Sequence, residues 1–253
     1  VPPKYATIAI DSGGEWARLA FSFDMRKHAR DMDSIRGMNN YPGATERVNM
    51  AARRLKDFRA AGSNVVILCH EQIEKVYAKG GAMTAKGQVP QEPIAVMGWP
   101  NLPGSTCPTE VMNACDNVFR VREVNGTPLW IGRREPLGGG GDYWVVKDRF
   151  NAPAIAGGLL PSSYSDLATR ALALPDCNWA PPYIWMLYGV PGIGKTRSLL
   201  TFPRPLHILD IDRGSAVLMK SGKLPDGITV EQFNSEEMDD YPRFISSLEA
   251  AGG

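Results

Sequence analysis

Ile184-Trp185-Met186-Leu187-Tyr188 runs directly into Gly189-Val190-Pro191-Gly192-Ile193-Gly194-Lys195-Thr196, and then into Arg197-Ser198-Leu199-Leu200. Five apolar residues in a row suit a strand buried on both faces. The next eight satisfy G-x-x-x-x-G-K-[ST] in full, and the tail can continue as a helix. Strand, glycine-rich turn and helix together form a building unit of a parallel α/β sheet. Glycines let the backbone curl until its N–H groups point at phosphate oxygens, and a helix starting there adds the positive end of its dipole. Lys195 then reaches the β- and γ-phosphates and Thr196 holds Mg²⁺, with ATP the expected ligand. Gly189, Val190, Pro191, Gly192, Ile193, Gly194 and Arg197 complete the expected nucleotide cradle.

Working outward, four more apolar runs read as buried parallel strands: Thr7–Ile10, Val65–Leu68, Leu206–Leu209 and Ile228–Phe233. Thr7–Ile10 ends on Asp11. A carboxylate at the end of such a strand, combined with the phosphate loop, is a Mg²⁺ ligand acting mainly through water. This acidic strand normally follows the loop in sequence; here it lies almost at the N-terminus. Over Glu46–Ala61 the apolar positions Val48, Ala51, Ala52, Leu55 and Phe58 recur at helical spacing, and the basic residues fall mostly on other faces, as on a solvated helix. Alternating strands and helices predict a mostly parallel sheet with helices on both faces.

From Gln72 to Thr109 the texture is Gly, Pro, Lys and Gln with little periodicity, read as a long loop. Asn117–Arg122 and Leu129–Arg133 flank Val124-Asn125-Gly126-Thr127, a hairpin signal. Tyr143–Lys147 reads as a further hairpin partner after Gly138–Gly141, and Pro175–Pro182 as a linker. The 253 residues are expected to form one domain, with 1–174 and 175–253 as its two halves.

Charge is balanced, 28 Lys and Arg against 27 Asp and Glu, so no global field attracts nucleic acid. Any such contact must come from local basic loops or from repetition in an oligomer. No apolar run is long enough to suggest a membrane span. The four cysteines match no zinc spacing and suit a reducing compartment, with buried free thiols the plain reading.

Three further segments carry a resemblance. Ile208-Leu209-Asp210-Ile211-Asp212-Arg213-Gly214, Val66-Ile67-Leu68-Cys69-His70 and Trp144-Val145-Val146-Lys147-Asp148-Arg149 together with the phosphate loop resemble the RecA-like P-loop ATPases. The nearest likeness is to phage members linked to single-strand annealing and recombination. The resemblance implies that Asp212 polarises the attacking water, where a longer Glu also occurs in the family. It implies that His70 senses the γ-phosphate, and that Lys147 and Arg149 reach the ATP of a neighbouring subunit. From the residues alone, Asp212 also fits a turn, His70 a satisfied buried histidine, and Lys147 and Arg149 an exposed strand.

The family core appears in correct cyclic order when the chain is read from Pro175 to Gly253 and on through Val1. That implies a circularly permuted RecA-like fold whose ends at 253 and 1 are new and whose join falls near Leu174–Asn178. The implied partners are single-stranded DNA, further copies of the chain in an oligomer or filament, and a single-strand-binding protein. The implied location is the cytoplasm, of the host cell if phage-encoded. DNA contact would fall on Met25–Gly43, with Arg26, Lys27, Arg30, Arg36 and Tyr41, and on Gln72–Pro108, with Lys75, Lys79, Lys86, Tyr77 and Trp99. A DNA-dependent ATPase, an ATPase acting on protein partners and a nucleotide-binding scaffold with little hydrolysis all remain open at this level.

Overall fold

Each of the five apolar runs forms a strand; four are buried along their length inside a sheet covered on both sides, while Ile228–Gln232 lies at the edge and buries only Ile228. A computed structural model describes residues 3–27, 41–76, 95–102, 106–137, 142–218, 223–237 and 239–252. In chain order the strands are β1 (Thr7–Asp11), β2 (Asn64–Val76), β3 (Ala95–Pro100), β4 (Asn117–Val124), β5 (Thr127–Ile131), β6 (Tyr143–Trp144), β7 (Leu159–Pro161), β8 (Ile184–Gly189), β9 (Leu206–Asp210) and β10 (Ile228–Gln232). The helices are α1 (Gly13–Lys27), α2 (Tyr41–Ala60), α3 (Thr106–Ala114), α4 (Tyr164–Leu172), α5 (Lys195–Ser198) and α6 (Asp240–Gly252).

The sheet runs β10-β9-β1-β2-β8-β4-β5-β7, with β3 joined to β2 and β6. From β10 through β4 all neighbours are parallel; β4-β5 and β5-β7 are antiparallel. The fold is therefore α/β with a mixed sheet. The antiparallel part follows from the hairpin turn, where Asn125 and Gly126 take φ of 52° and 77°, as a two-residue turn of this hand requires.

Strand alternation divides the core into two layers. Ile8, Ile10, Val65, Ile67, Ile184 and Met186 face α1, α2, α3 and α6. Ala9, Val66, Leu68, Trp185 and Leu187 face α4 and an aromatic cluster in which Trp185 contacts Phe119, Trp130, Tyr164 and Phe202. On α2 the five expected apolar residues are all buried. Its basic face is exposed at Arg53 and Lys56, while Arg54 pairs with Glu249 and Arg59 with Asp116.

Three expectations change, and a fourth gains a detail. β2 does not stop at His70: beyond the parallel sheet it continues to Val76 and pairs antiparallel with β3, so a portion of the expected loop is a ribbon. Tyr143–Lys147 does not extend the β4-β5 hairpin; only Tyr143–Trp144 is strand, parallel to β3, and Lys147 makes a single bridge to Val118. Pro175–Pro182 is an irregular, largely exposed connection as expected, but it is anchored, since Trp179 sits edge-on to Phe150 at 5.1 Å. The helix after the glycine-rich loop is one turn of α5, followed by a 3-10 turn over Leu199–Thr201, because Phe202-Pro203 stops it. Of the expected DNA stretches, Arg30, Arg36, Tyr77, Lys79 and Lys86 lie outside the described residues. So does Gly138–Gly141.

Candidate functional site

The C-terminal ends of parallel strands are where α/β sheets place ligands, because the chain leaves the sheet there and the loops open a crevice. Four of the predicted residues arrive at that edge from four adjacent strands. β8 delivers the loop 189–196. β2, next to it, places His70 in register with Gly189. β1 ends on Asp11, and β9 is followed by Asp212. β2 thus separates the strand of the glycine-rich loop from the strand of Asp11.

The loop is held by backbone geometry that its sequence dictates. Gly192 and Gly194 have φ of 78° and 93°, the left-handed region that only glycine enters freely. Lys195 is buried, and its Nζ donates to the carbonyls of Gly189 at 3.0 Å and Val190 at 2.9 Å. Burial pushes its ammonium below the ordinary lysine range, against the pull of Asp11. Thr196 Oγ1 donates to Asp11 Oδ2 at 2.7 Å, joining residues 185 positions apart.

Asp11 is buried. Burial first, and then the negative charge of Asp212, push its carboxyl up to about 7, while the Thr196 hydroxyl and Lys195 counter the rise. Its oxygens lie within 4.8 Å of ligand atoms of Asp210 and Asp212. The three carboxylates are not equivalent. Asp210 is fully buried and turned into the fold: it accepts the N–H groups of Gly214 at 3.0 Å and Ser215 at 3.2 Å, and the Ser215 hydroxyl. Asp212 is exposed and accepts the Gly214 N–H on one oxygen at 2.9 Å. The turn between them is tight: Arg213 has φ 61°, and a Cβ on Gly214 would stand 2.8 Å from Asp212 Oδ1 and 3.0 Å from Asp11 Oδ2. A hydroxyl and a carboxylate oxygen with excess negative charge nearby suit a hard divalent cation such as Mg²⁺, so Asp11 and Thr196 fit that ion, with Asp212 beside them.

These residues line a cleft of about 610 Å³, a size ordinary for small-molecule sites. Asp11, His70, Asp212 and the loop from Pro191 to Arg197 share it with Pro128, Ser162 and Thr201. His70 is half-buried, with Nδ1 unpartnered; burial first, and then Lys195, lower its pKa and favour the neutral ring, against the pull of Asp212 and Glu15. It also lines a smaller neighbouring cavity with Ser12 and Glu15. The Ser12 hydroxyl is buried with no partner. Glu15 accepts from Ser235 at 2.5 Å.

Lys147 and Arg149 do not join this cleft. Lys147 Nζ donates to the carbonyls of Met112, Asn113 and Cys115, capping the C-terminal end of α3, where a cation suits the orphan carbonyls. Arg149 Nε lies 3.1 Å from Asp116 Oδ1. Both sit by the start of β4, beside the start of β8 and away from Gly189. Nor do they alternate on one strand. Sequence reasoning missed Pro128, Ser162 and Thr201 as cleft walls, since only the tertiary fold brings those segments to the loop and no motif marks them. The role of Asp210 was hidden too, although its position ending an apolar run was visible.

Comparison with known proteins found no matching family model, no matching curated protein and no matching solved structure. No described helix is long and apolar enough to cross a membrane.

Proposed function

We propose that this chain binds Mg²⁺-ATP in the cleft, hydrolyses it and acts on single-stranded DNA in recombination or strand annealing. The observation that carries the reading is the Thr196–Asp11 hydrogen bond. It brings the hydroxyl expected to hold the metal onto the carboxylate expected to do the same, from positions 185 residues apart. In this reading the loop N–H groups and Lys195 hold the phosphates, and Asp11 and Thr196 hold the ion. Asp212 turns its free oxygen to the attacking water, and neutral His70 lies beside the terminal phosphate. When bound, the metal neutralises charge developing on the phosphate oxygens.

The RecA-like and permuted aspects of the proposal draw support from the strand order, in which β2 lies between the phosphate-loop strand and the Asp11 strand, and β9 and β10 lie beyond. The DNA aspect rests on the family resemblance. The same resemblance brings self-assembly, a single-strand-binding partner and a cytoplasmic setting. The deciding experiment is the ATP hydrolysis rate with and without a single-stranded oligonucleotide. Stimulation by the strand is expected. A rate indifferent to DNA removes the DNA aspect, and absence of both Mg²⁺-ATP binding and turnover overturns the whole.

A further inference from the structure

We propose that the cleft between Arg59 and Arg149 is a second anion site, built for a phosphate group, at the end of the sheet away from Lys195. It does not depend on the nucleotide reading. Asp116 precedes β4, and its Oδ2 accepts the Ile184 N–H at 2.9 Å, at the first residue of β8. The phosphate loop begins at the last residue of that strand, about 17 Å further along at ~3.3 Å per residue. The two sites are therefore distinct.

The charge balance at this end is unusual. One buried carboxylate oxygen, Asp116 Oδ1, serves two guanidinium groups: Arg59 Nη1 at 2.6 Å and Arg149 Nε at 3.1 Å. One negative charge against two positive charges leaves a net positive pair. Each guanidinium carries five N–H donors in a planar fork, and beyond those two contacts neither has another side-chain partner among the described residues. The spare donors line an open polar cleft of about 330 Å³. Lys147 is close enough to Arg149 for their charges to interact, and Asp148 stands with Arg149 by Tyr183. Asp148 Oδ1 already accepts the N–H groups of Phe150 and Ala152, each at 2.9 Å.

On the remaining wall the Tyr183 hydroxyl is already partnered and does not compete for the guanidiniums. The Tyr183 hydroxyl donates to the Asn178 carbonyl at 3.0 Å and accepts from the Ala180 N–H. Forked donors in a preformed pocket recognise phosphate oxygens by paired hydrogen bonds, which a lysine point charge cannot do. The phosphate can come from a free polyphosphate or from the backbone of a nucleic-acid strand.

The test uses the full chain carrying Lys195→Ala, so that the first cleft does not report. Binding of inorganic pyrophosphate and of a labelled oligothymidine strand is measured by calorimetry and anisotropy. Arg149→Gln is expected to weaken the phosphate contact by about ten- to hundredfold, the range for hydrogen bonds to charged groups. Asn178→Glu places a carboxylate in the cleft without touching the Asp116 pair, and should abolish binding even if Arg149→Gln fails to fold. Arg53→Gln, on the exposed face of α2, should change little. Loss of both probes assigns the site to strand phosphates, and loss of pyrophosphate alone to a free polyphosphate. Undiminished binding of both probes in Asn178→Glu overturns the proposal.

Discussion

Asp11 is the residue on which folding and chemistry pull in opposite directions. Its ordinary carboxyl value lies near 3.8, and in the folded chain it is held near 7. Between those values the folded state keeps a proton that the unfolded state has lost. Stability contributed by the protonated form is therefore complete below about 3.8, falls as pH rises, and is gone above about 7. Asp11→Asn should consequently gain thermal stability over the parent as metal-free samples go from pH 4 to pH 8. Added Mg²⁺ should rescue the parent and not the variant. A melting-temperature difference independent of pH would refute the assignment of the buried charge to Asp11. At the other side of the loop, Lys195→Ala removes a charge-assisted contact worth ~1.5–3 kcal/mol, so nucleotide affinity should drop at least tenfold in a titration. Asp212→Asn should keep affinity and slow turnover, because an amide is a poor proton acceptor. Parental turnover in that variant would pass the role elsewhere, with Glu15 the nearest carboxylate to His70 on α1.

At the scale of elements, β8 and the turn after it were legible because their constraint is local. An apolar run must be buried, and a glycine-rich turn must curl, whatever surrounds them. The same holds for α2, whose five apolar positions already sit on one face in the sequence. What sequence could not supply was set by contacts from elsewhere. β2 runs past His70 because β3 supplies a partner for it. Lys147 leaves the strand pattern because the carbonyls at the end of α3 take its ammonium. Asp212 was legible as an acid beyond a strand, yet the Asp210 anchor that fixes its turn was not. Packing between elements also separates stability from binding. A methyl on Gly189 would stand 2.3 Å from the Val121 carbonyl of β4, so Gly189→Ala must push β8 and β4 apart at the root of the loop. It should cost ~1–3 kcal/mol and also weaken nucleotide binding. Leu55→Ala, fully buried under α2, should cost ~2–5 kcal/mol in urea unfolding and leave affinity intact. Equal losses of affinity in both variants would mean that the loop simply follows global stability.

For the whole molecule the outstanding question is what Lys147 and Arg149 serve, since they stand apart from the cleft of their own chain. Their own-chain contacts give each a structural role, Lys147 as the α3 cap and Arg149 as one of two cations on buried Asp116. The resemblance gives them another, completing the site of a neighbouring copy. The two roles differ in what they predict. If Arg149 only neutralises Asp116, its removal lowers the melting temperature, and mixing variants restores nothing. If its spare guanidinium donors also reach a neighbour's phosphates, Arg149→Ala should lower turnover by the ~10³–10⁵ that an arginine supplied in trans can provide. Mixed with Lys195→Ala subunits it should then recover activity, because some interfaces would join an intact loop to an intact arginine. We expect recovery in the mixture, and a specific activity that falls on dilution as the assembly dissociates. Full activity in a dilute monomer would remove the role in trans, leaving Lys147 as the α3 cap and Arg149 at Asp116 and the cleft it lines, and the oligomeric reading would fall.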